Sequence, residues 1–99
     1  CGTQSVQTME GINFDLLLLG VTSYSPDNGF TCGVEDEARL KQTVLRRSEQ
    51  KAVLLDSSKI GLKSTFHICD LSEVDIVISD GKLPAEFLQA CKAAGVTVL

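Results

Sequence analysis

Four near-continuous apolar runs punctuate the chain: Phe14 to Val21, Ala52 to Leu55, Val74 to Ile78 and Val96 to Leu99. None alternates regularly with polar residues, and near-continuous runs of this length are the pattern of strands buried on both faces, as in a parallel sheet covered by helices. Between them lie polar-apolar segments of helical length. Gln4 to Glu10 reads as the tail of a first helix and Val34 to Glu49 as a long second one. Pro84 to Ala94 reads as a third, opened by a first-turn proline and closed by Gly95. The alternation predicts an α/β domain with a mostly parallel sheet flanked by helices. With no internal repeat and no charge block to mark a linker, residues 1–99 read as one continuous unit.

Sheets of this kind bind ligands beyond the carboxyl ends of their strands, so the run exits carry the functional information. The first run leaves through Gly20-Val21-Thr22-Ser23 into an exposed loop with Pro26-Asp27-Asn28-Gly29, the second through Asp56-Ser57-Ser58-Lys59, the third through Ser79-Asp80-Gly81. Each exit offers small, hydroxyl or carboxylate side chains. On a helical wheel at ~100° per residue, Val34, Ala38, Leu40, Val44 and Leu45 share one arc, and Glu37 and Lys41 fall inside it. Two ionisable groups facing a sheet are costly unless they pair or meet a ligand. They form either an i,i+4 pair at the sheet rim or a carboxylate aimed at ligand hydroxyls with its neighbouring ammonium. Asp56-Ser57-Ser58-Lys59 is likewise either a capped surface turn or a seat for a phosphate or polyol.

Composition narrows the field. Ninety-nine residues, 43% hydrophobic and 22% charged, make one small globular domain. A formal net charge of −4 is the wrong sign for binding a polyanion through counterion release, so this piece alone is not expected to hold nucleic acid. The longest purely apolar stretch, Leu16 to Leu19, is far too short for a bilayer span. Cys1, Cys32, Cys69 and Cys91 lack close pairs and no signal peptide precedes them, which favours free thiols in a reducing cytoplasm. The chain opens Cys-Gly-Thr-Gln without an initiator methionine, as a piece of a longer polypeptide would.

Other chemistries are poorly supported. His67 and Cys69 would share a strand face if Thr65 to Asp70 is extended, but two ligands do not make a zinc site. A Ser57 or Ser58, His67 and Asp80 triad can be drawn, yet no G-x-S-x-G elbow is present. Neither a Walker-type loop nor G-x-G-x-x-G occurs, so no nucleotide, metal or other cofactor is expected.

Taken together, Phe14-Asp15-Leu16-Leu17-Leu18-Leu19-Gly20-Val21, Asn28-Gly29-Phe30-Thr31, Glu35-Asp36-Glu37-Ala38-Arg39-Leu40-Lys41 and Val53-Leu54-Leu55-Asp56-Ser57-Ser58-Lys59-Ile60-Gly61 resemble one family. Val74-Asp75-Ile76-Val77-Ile78-Ser79-Asp80, Leu83-Pro84 and Ala94-Gly95-Val96-Thr97-Val98 continue the match in order and spacing. The chain is similar to the carboxy-terminal effector-binding domain of DeoR-type bacterial transcriptional regulators. The resemblance implies a Rossmann-like sensor domain related in fold to sugar-phosphate isomerases and deaminases. It would bind a phosphorylated sugar and control a separate amino-terminal winged helix-turn-helix that holds operator DNA, usually within a homo-oligomer. On this resemblance Thr22 and Ser23 line the cleft, Glu37 contacts sugar hydroxyls with Lys41 beside it, and Lys59 reaches the phosphate or carbonyl end. No catalytic residue is implied. The alternative is an isomerase or deaminase in which Glu37 moves a proton and Lys59 stabilises enediolate charge. The family's earlier strand and Asp-Ser-Gly-Thr-Thr-like phosphate loop do not occur here, so the unit is expected to be partial, truncated on its amino-terminal side. Its strand edges are then expected to be exposed and to favour self-association or pairing with another chain.

Overall fold

A computed structural model describes residues 14–99; the expected helix at Gln4 to Glu10, and Cys1, lie outside the described residues. The order is β1 (Phe14–Gly20), β2 (Ser23–Ser25), β3 (Gly29–Cys32), α1 (Glu35–Arg46), β4 (Ser48–Leu55), β5 (Phe66–Cys69), β6 (Ile76–Ser79), α2 (Ala85–Ala94) and β7 (Thr97–Val98). Short 3-10 turns at Ser57–Lys59 and Leu71–Glu73 follow β4 and β5. Strands β1-β4-β6-β7 form a parallel sheet in that order, and β2-β3-β5 form a second, antiparallel one. The α/β class and the parallel sheet are as the apolar runs predict. Among the described residues no helix is long and apolar enough to cross a membrane.

The helix and all four apolar runs have bounds that differ from the sequence reading. The expected helix Val34 to Glu49 stops at Arg46, because Ser48 and Gln50 pair with Phe14 and Leu16 of β1 and extend β4 back to Ser48. Lateral hydrogen bonding to a neighbouring strand outweighs the mild helix propensity of Ser-Glu-Gln. The Ser48 hydroxyl meanwhile donates to Val44 O (2.6 Å), satisfying one of the helix's terminal carbonyls. The run Phe14 to Val21 pairs only as far as Gly20. The run Val74 to Ile78 shifts to Ile76–Ser79, and Val96 to Leu99 contracts to Thr97–Val98, the residues that hold ladder partners. Val34 is the extended residue before α1 and is 54% exposed. Thr43, which the wheel left out, is buried, its hydroxyl donating to Arg39 O at 3.0 Å.

The antiparallel sheet was not foreseen. The exposed loop expected after the first run is a hairpin, Ser23↔Thr31, Tyr24↔Phe30 and Ser25↔Gly29. Its turn is closed by Asn28 N–H to Ser25 O at 3.2 Å, with Pro26 in the position its fixed φ suits. Gly29 sits at φ +67°, and a Cβ there would lie 2.6 Å from Cys69 O of β5. Gly29→Ala therefore combines left-handed strain with a backbone clash and is expected to cost about 2–4 kcal/mol. Urea unfolding checks this as a lowered midpoint at unchanged slope.

Both sheets and both helices share one core. Leu19, Val53, Leu55 and Val77 from the parallel sheet meet Tyr24, Phe30 and Ile68 from the antiparallel one, with Ala38 and Leu45 of α1 and Phe87 and Cys91 of α2. Tyr24 is the hinge of this packing, its ring centroid 4.8 Å from Phe30 and 5.0 Å from Phe87 in an edge-on arrangement. Cys32, Cys69 and Cys91 are buried free thiols. Burial pushes the Cys69 thiol up to about 12, with Glu73 and Asp70 adding to the effect. It is therefore an inert packing residue rather than a reactive one.

Candidate functional site

The carboxyl ends of β1, β4 and β6 open onto a cleft of about 590 Å³. Gly20, Val21 and Thr22 line it from the first exit, Leu54, Leu55 and Asp56 from the second, and Ile78, Ser79 and Asp80 from the third. Helix α1 supplies Glu37 and Lys41 as the remaining wall. Parallel pairing brings the three exits level: Gly20 is opposite Leu54, and Leu54 opposite Ile78.

Glu37 and Lys41 are joined, Lys41 Nζ lying 3.3 Å from Glu37 Oε1. The lysine side chain is only 15% exposed and the glutamate 42%. Lys41 also donates to Gly20 O at 2.9 Å, tying α1 to the end of β1. An exposed i,i+4 pair contributes only ~0.3–0.5 kcal/mol, so the value of this one lies in placement: it fixes a half-exposed carboxylate at the cleft wall. Across the cleft, Asp80 accepts from the Ser57 hydroxyl at 2.9 Å and from Lys82 N–H at 3.1 Å. These contacts, the Lys82 N–H foremost and the Ser57 hydroxyl next, hold its carboxyl below the usual range. Asp56 accepts from Ser58 N–H at 2.9 Å and caps the 3-10 turn.

A carboxyl depressed in the folded state stabilises the fold above its unfolded value of about 3.9 and loses that contribution as pH falls through the folded value. Asp80→Asn removes the group. The stability gap between parent and variant is therefore expected to narrow as pH drops below about 4, as urea titrations on either side of that pH would show.

Of the five residues singled out by the sequence, Thr22, Glu37 and Lys41 come together on the cleft. Thr22 Oγ1 donates to Thr31 O at 3.1 Å. Ser23 is buried, its hydroxyl within hydrogen-bond distance of Thr31 O, Thr31 Oγ1 and Ser64 Oγ, where it binds the hairpin together. Lys59 ends the 3-10 turn and is not among the lining residues. Asp56, Ser79 and Asp80 line the cleft without having been placed in the predicted site, although the exit motifs containing them pointed there.

The alternative chemistries do not assemble. His67 Nε2 lies 3.0 Å from Asp70, while Ser57 is bonded to Asp80, so the drawn triad is divided between two places. His67 is exposed and Cys69 buried. Among the described residues no group of three or more His, Cys, Asp or Glu is arranged to hold a metal. A separate cleft of about 520 Å³ runs between α1 and β5 past Arg46, Lys51, Glu73 and Asp75. Its carboxylates are occupied by backbone N–H groups, Glu73 by Asp70 (2.6 Å) and Asp75 by Lys51 (2.8 Å), which marks it as structural.

Comparison with known proteins agrees with this architecture. Residues 1–81 match the DeoR C terminal sensor domain. The chain belongs to the DeoR sensor-domain family. Relatives of this sensor domain include the HTH-type transcriptional regulator GlpR of Haloferax volcanii, 37% identical over 98 residues. The HTH-type transcriptional repressor GlcR of Bacillus subtilis is 28% identical over 99 residues. Each alignment covers 99% of this chain and 38% of the relative. The sensor domain described here thus spans well under half the length of those regulators.

Proposed function

We propose that the cleft binds a phosphorylated sugar and that its occupancy sets DNA binding by a winged helix-turn-helix elsewhere in the parent regulator, within a cytoplasmic homo-oligomer. The observation that carries this reading is the pairing of a fixed carboxylate, Glu37, with a second one, Asp80, across a cleft at the strand exits. Carboxylates of this kind accept hydrogen bonds from sugar hydroxyls, and charge-assisted bonds are the stronger class. Thr22 adds a hydroxyl from the β1 exit, and Lys41 stands behind Glu37. Ser23 acts indirectly, its buried hydroxyl holding Thr31 O, the same carbonyl that Thr22 bonds. Lys59 ends the turn after Asp56, outside the lining residues, and its role at the phosphate or carbonyl end of the ligand rests on the family resemblance alone.

A sensor of this kind works only if the ligand prefers one of two conformations. Lys41 gives it a lever, since the same ammonium joins the cleft carboxylate to the β1 exit. The proton-transfer alternative asks Glu37 to act as a free base, whereas its carboxylate is paired, and the names of the relatives are those of regulators.

Thermal melts against hexose, pentose and triose phosphates test the reading. A ligand at ten times its Kd stabilises by ~1.4 kcal/mol, a rise of several degrees in Tm for a domain of this size. No shift with any member of the panel, in this chain or in the full-length regulator, would count against sugar-phosphate binding. Interconversion of aldose and ketose phosphates would count for the enzyme.

A further inference from the structure

Two strand exits leave the cleft and meet again behind it. Thr22, on the wall from the β1 exit, donates its hydroxyl to Thr31 O at 3.1 Å. Asp56 stands on the wall from the β4 exit, and the next residue, Ser57, donates its hydroxyl to the cleft carboxylate of Asp80 at 2.9 Å. From there the chain runs to the hairpin, where Gly61 N–H donates to Tyr24 O at 2.7 Å and Ser64 N–H to Thr31 Oγ1 at 3.0 Å. Thr31 therefore takes one bond from each wall, on its carbonyl from the first and on its hydroxyl from the second. The hydroxyls close a ring around it. Because Thr31 Oγ1 accepts from Ser64, its own proton goes to Ser23 Oγ at 2.6 Å, and the Ser23 proton lies between Ser64 Oγ at 2.9 Å and Thr31 O at 3.0 Å. Ser23 and Thr31 are 1% and 2% exposed, so little water reaches these bonds, and linked hydroxyls in such surroundings strengthen one another.

We propose that Thr31 is a positioning residue for the cleft: with Ser23 and Ser64 it forms a buried hydroxyl latch that sets the separation of the β1 and β4 exits before a ligand arrives, a role that rests on the cleft being the sugar-phosphate site. Neither Thr31 nor Ser64 lines the cleft, so their effect reaches the ligand only through the walls they hold. Valine matches the outline of threonine. What the hydroxyl adds at position 31 is direction, a fixed place relative to Thr22 for Ser64 and for the chain leading back to Asp56. Walls held in place in advance spare the ligand the cost of ordering them. Without the latch that cost falls on binding.

Two measurements on the 99-residue chain test this, the first without ligand. Thr31→Val is expected to move the amide resonances of Asp56, Ser57 and Asp80 while those of Val53 and Val77 stay in place. Thr31→Ser, which keeps the hydroxyl, is expected to leave all of them near the parent positions. Should Thr31→Val fail to fold, Ser64→Ala keeps the backbone donor, removes one side-chain link, and is expected to give the same pattern at smaller amplitude. Changes confined to the hairpin and Ser64, with Asp56, Ser57 and Asp80 unmoved, would overturn the proposal. The second measurement is titration calorimetry with the hexose, pentose and triose phosphates, at a temperature where every variant is folded. Thr31→Val is expected to bind about three- to tenfold more weakly than the parent, and Thr31→Ser within about twofold of it. A lowered Tm with an unchanged Kd would make the hydroxyl ring purely structural and overturn the positioning role. If no sugar phosphate binds the parent, the reading of the cleft fails, and the amide shifts alone then decide whether the latch holds the two exits.

Discussion

Phe30→Ala is expected to remove about 3–5 kcal/mol of stability, the range for truncating a fully buried aromatic side chain. Phe30 is wholly inaccessible, faces Tyr24 across the hairpin, and through Tyr24 is linked to Phe87 of α2. Its loss leaves a cavity where the antiparallel sheet meets the rest of the core, and that region cannot collapse without moving α2. Single domains are stable by only about 5–15 kcal/mol, so this is a large share of the total. In a domain of this size it corresponds to a fall of about 12 °C or more in Tm, read by calorimetry or circular dichroism. Survival of the fold with a shift of only a degree or two would mean that the hairpin is peripheral.

That result bears on a part of the fold that the sequence conceals. The parallel strands are legible because each is a continuous apolar run, and α2 because proline and glycine bracket it. The hairpin strands are three and four residues long. Ser23, Thr31 and Ser64 satisfy one another's hydroxyls in the interior, so buried polar residues stand where a periodicity reading looks for apolar ones. Short strands held by side-chain hydrogen bonds carry almost no period-2 signal, and Ser23-Tyr24-Ser25 reads as loop. Ser48 and Glu49 read as helix for a related reason, since their strand character comes from β1 and not from their own side chains.

Part of the candidate cleft is legible in the sequence as well. Glu37 and Lys41 stood out as charges on an apolar arc, and the structure places both on the cleft and joins them. Asp80 belonged to a noted exit motif, but its place opposite Glu37 depends on β6 lying beside β4, which no local pattern encodes. Ser23 and Thr22 are adjacent in sequence and differ in role because the chain turns between them: Thr22 is exposed and Ser23 buried.

The second large effect concerns ligand affinity. Glu37→Gln is expected to weaken binding of the effector about 10- to 100-fold, since a hydrogen bond to a charged acceptor contributes about 1.5–3 kcal/mol. The fold should be nearly untouched, because Glu37 is half-exposed and its pair with Lys41 contributes little to stability. Titration calorimetry of parent and variant with whichever sugar phosphate raises the Tm separates the two effects. Equal affinity with Gln at this position would remove Glu37 from the ligand contacts and shift the site toward Asp56 and Asp80.

The most direct measurement is amide chemical-shift mapping of the isotopically labelled chain during titration with the sugar-phosphate panel. The account predicts saturable shifts concentrated at Gly20, Thr22, Glu37, Asp56, Ser79 and Asp80, the residues that surround the strand exits. Saturable shifts centred instead on Arg46, Lys51, His67 and Glu73, which line the other cleft, or no saturable shift with any sugar phosphate, would contradict it.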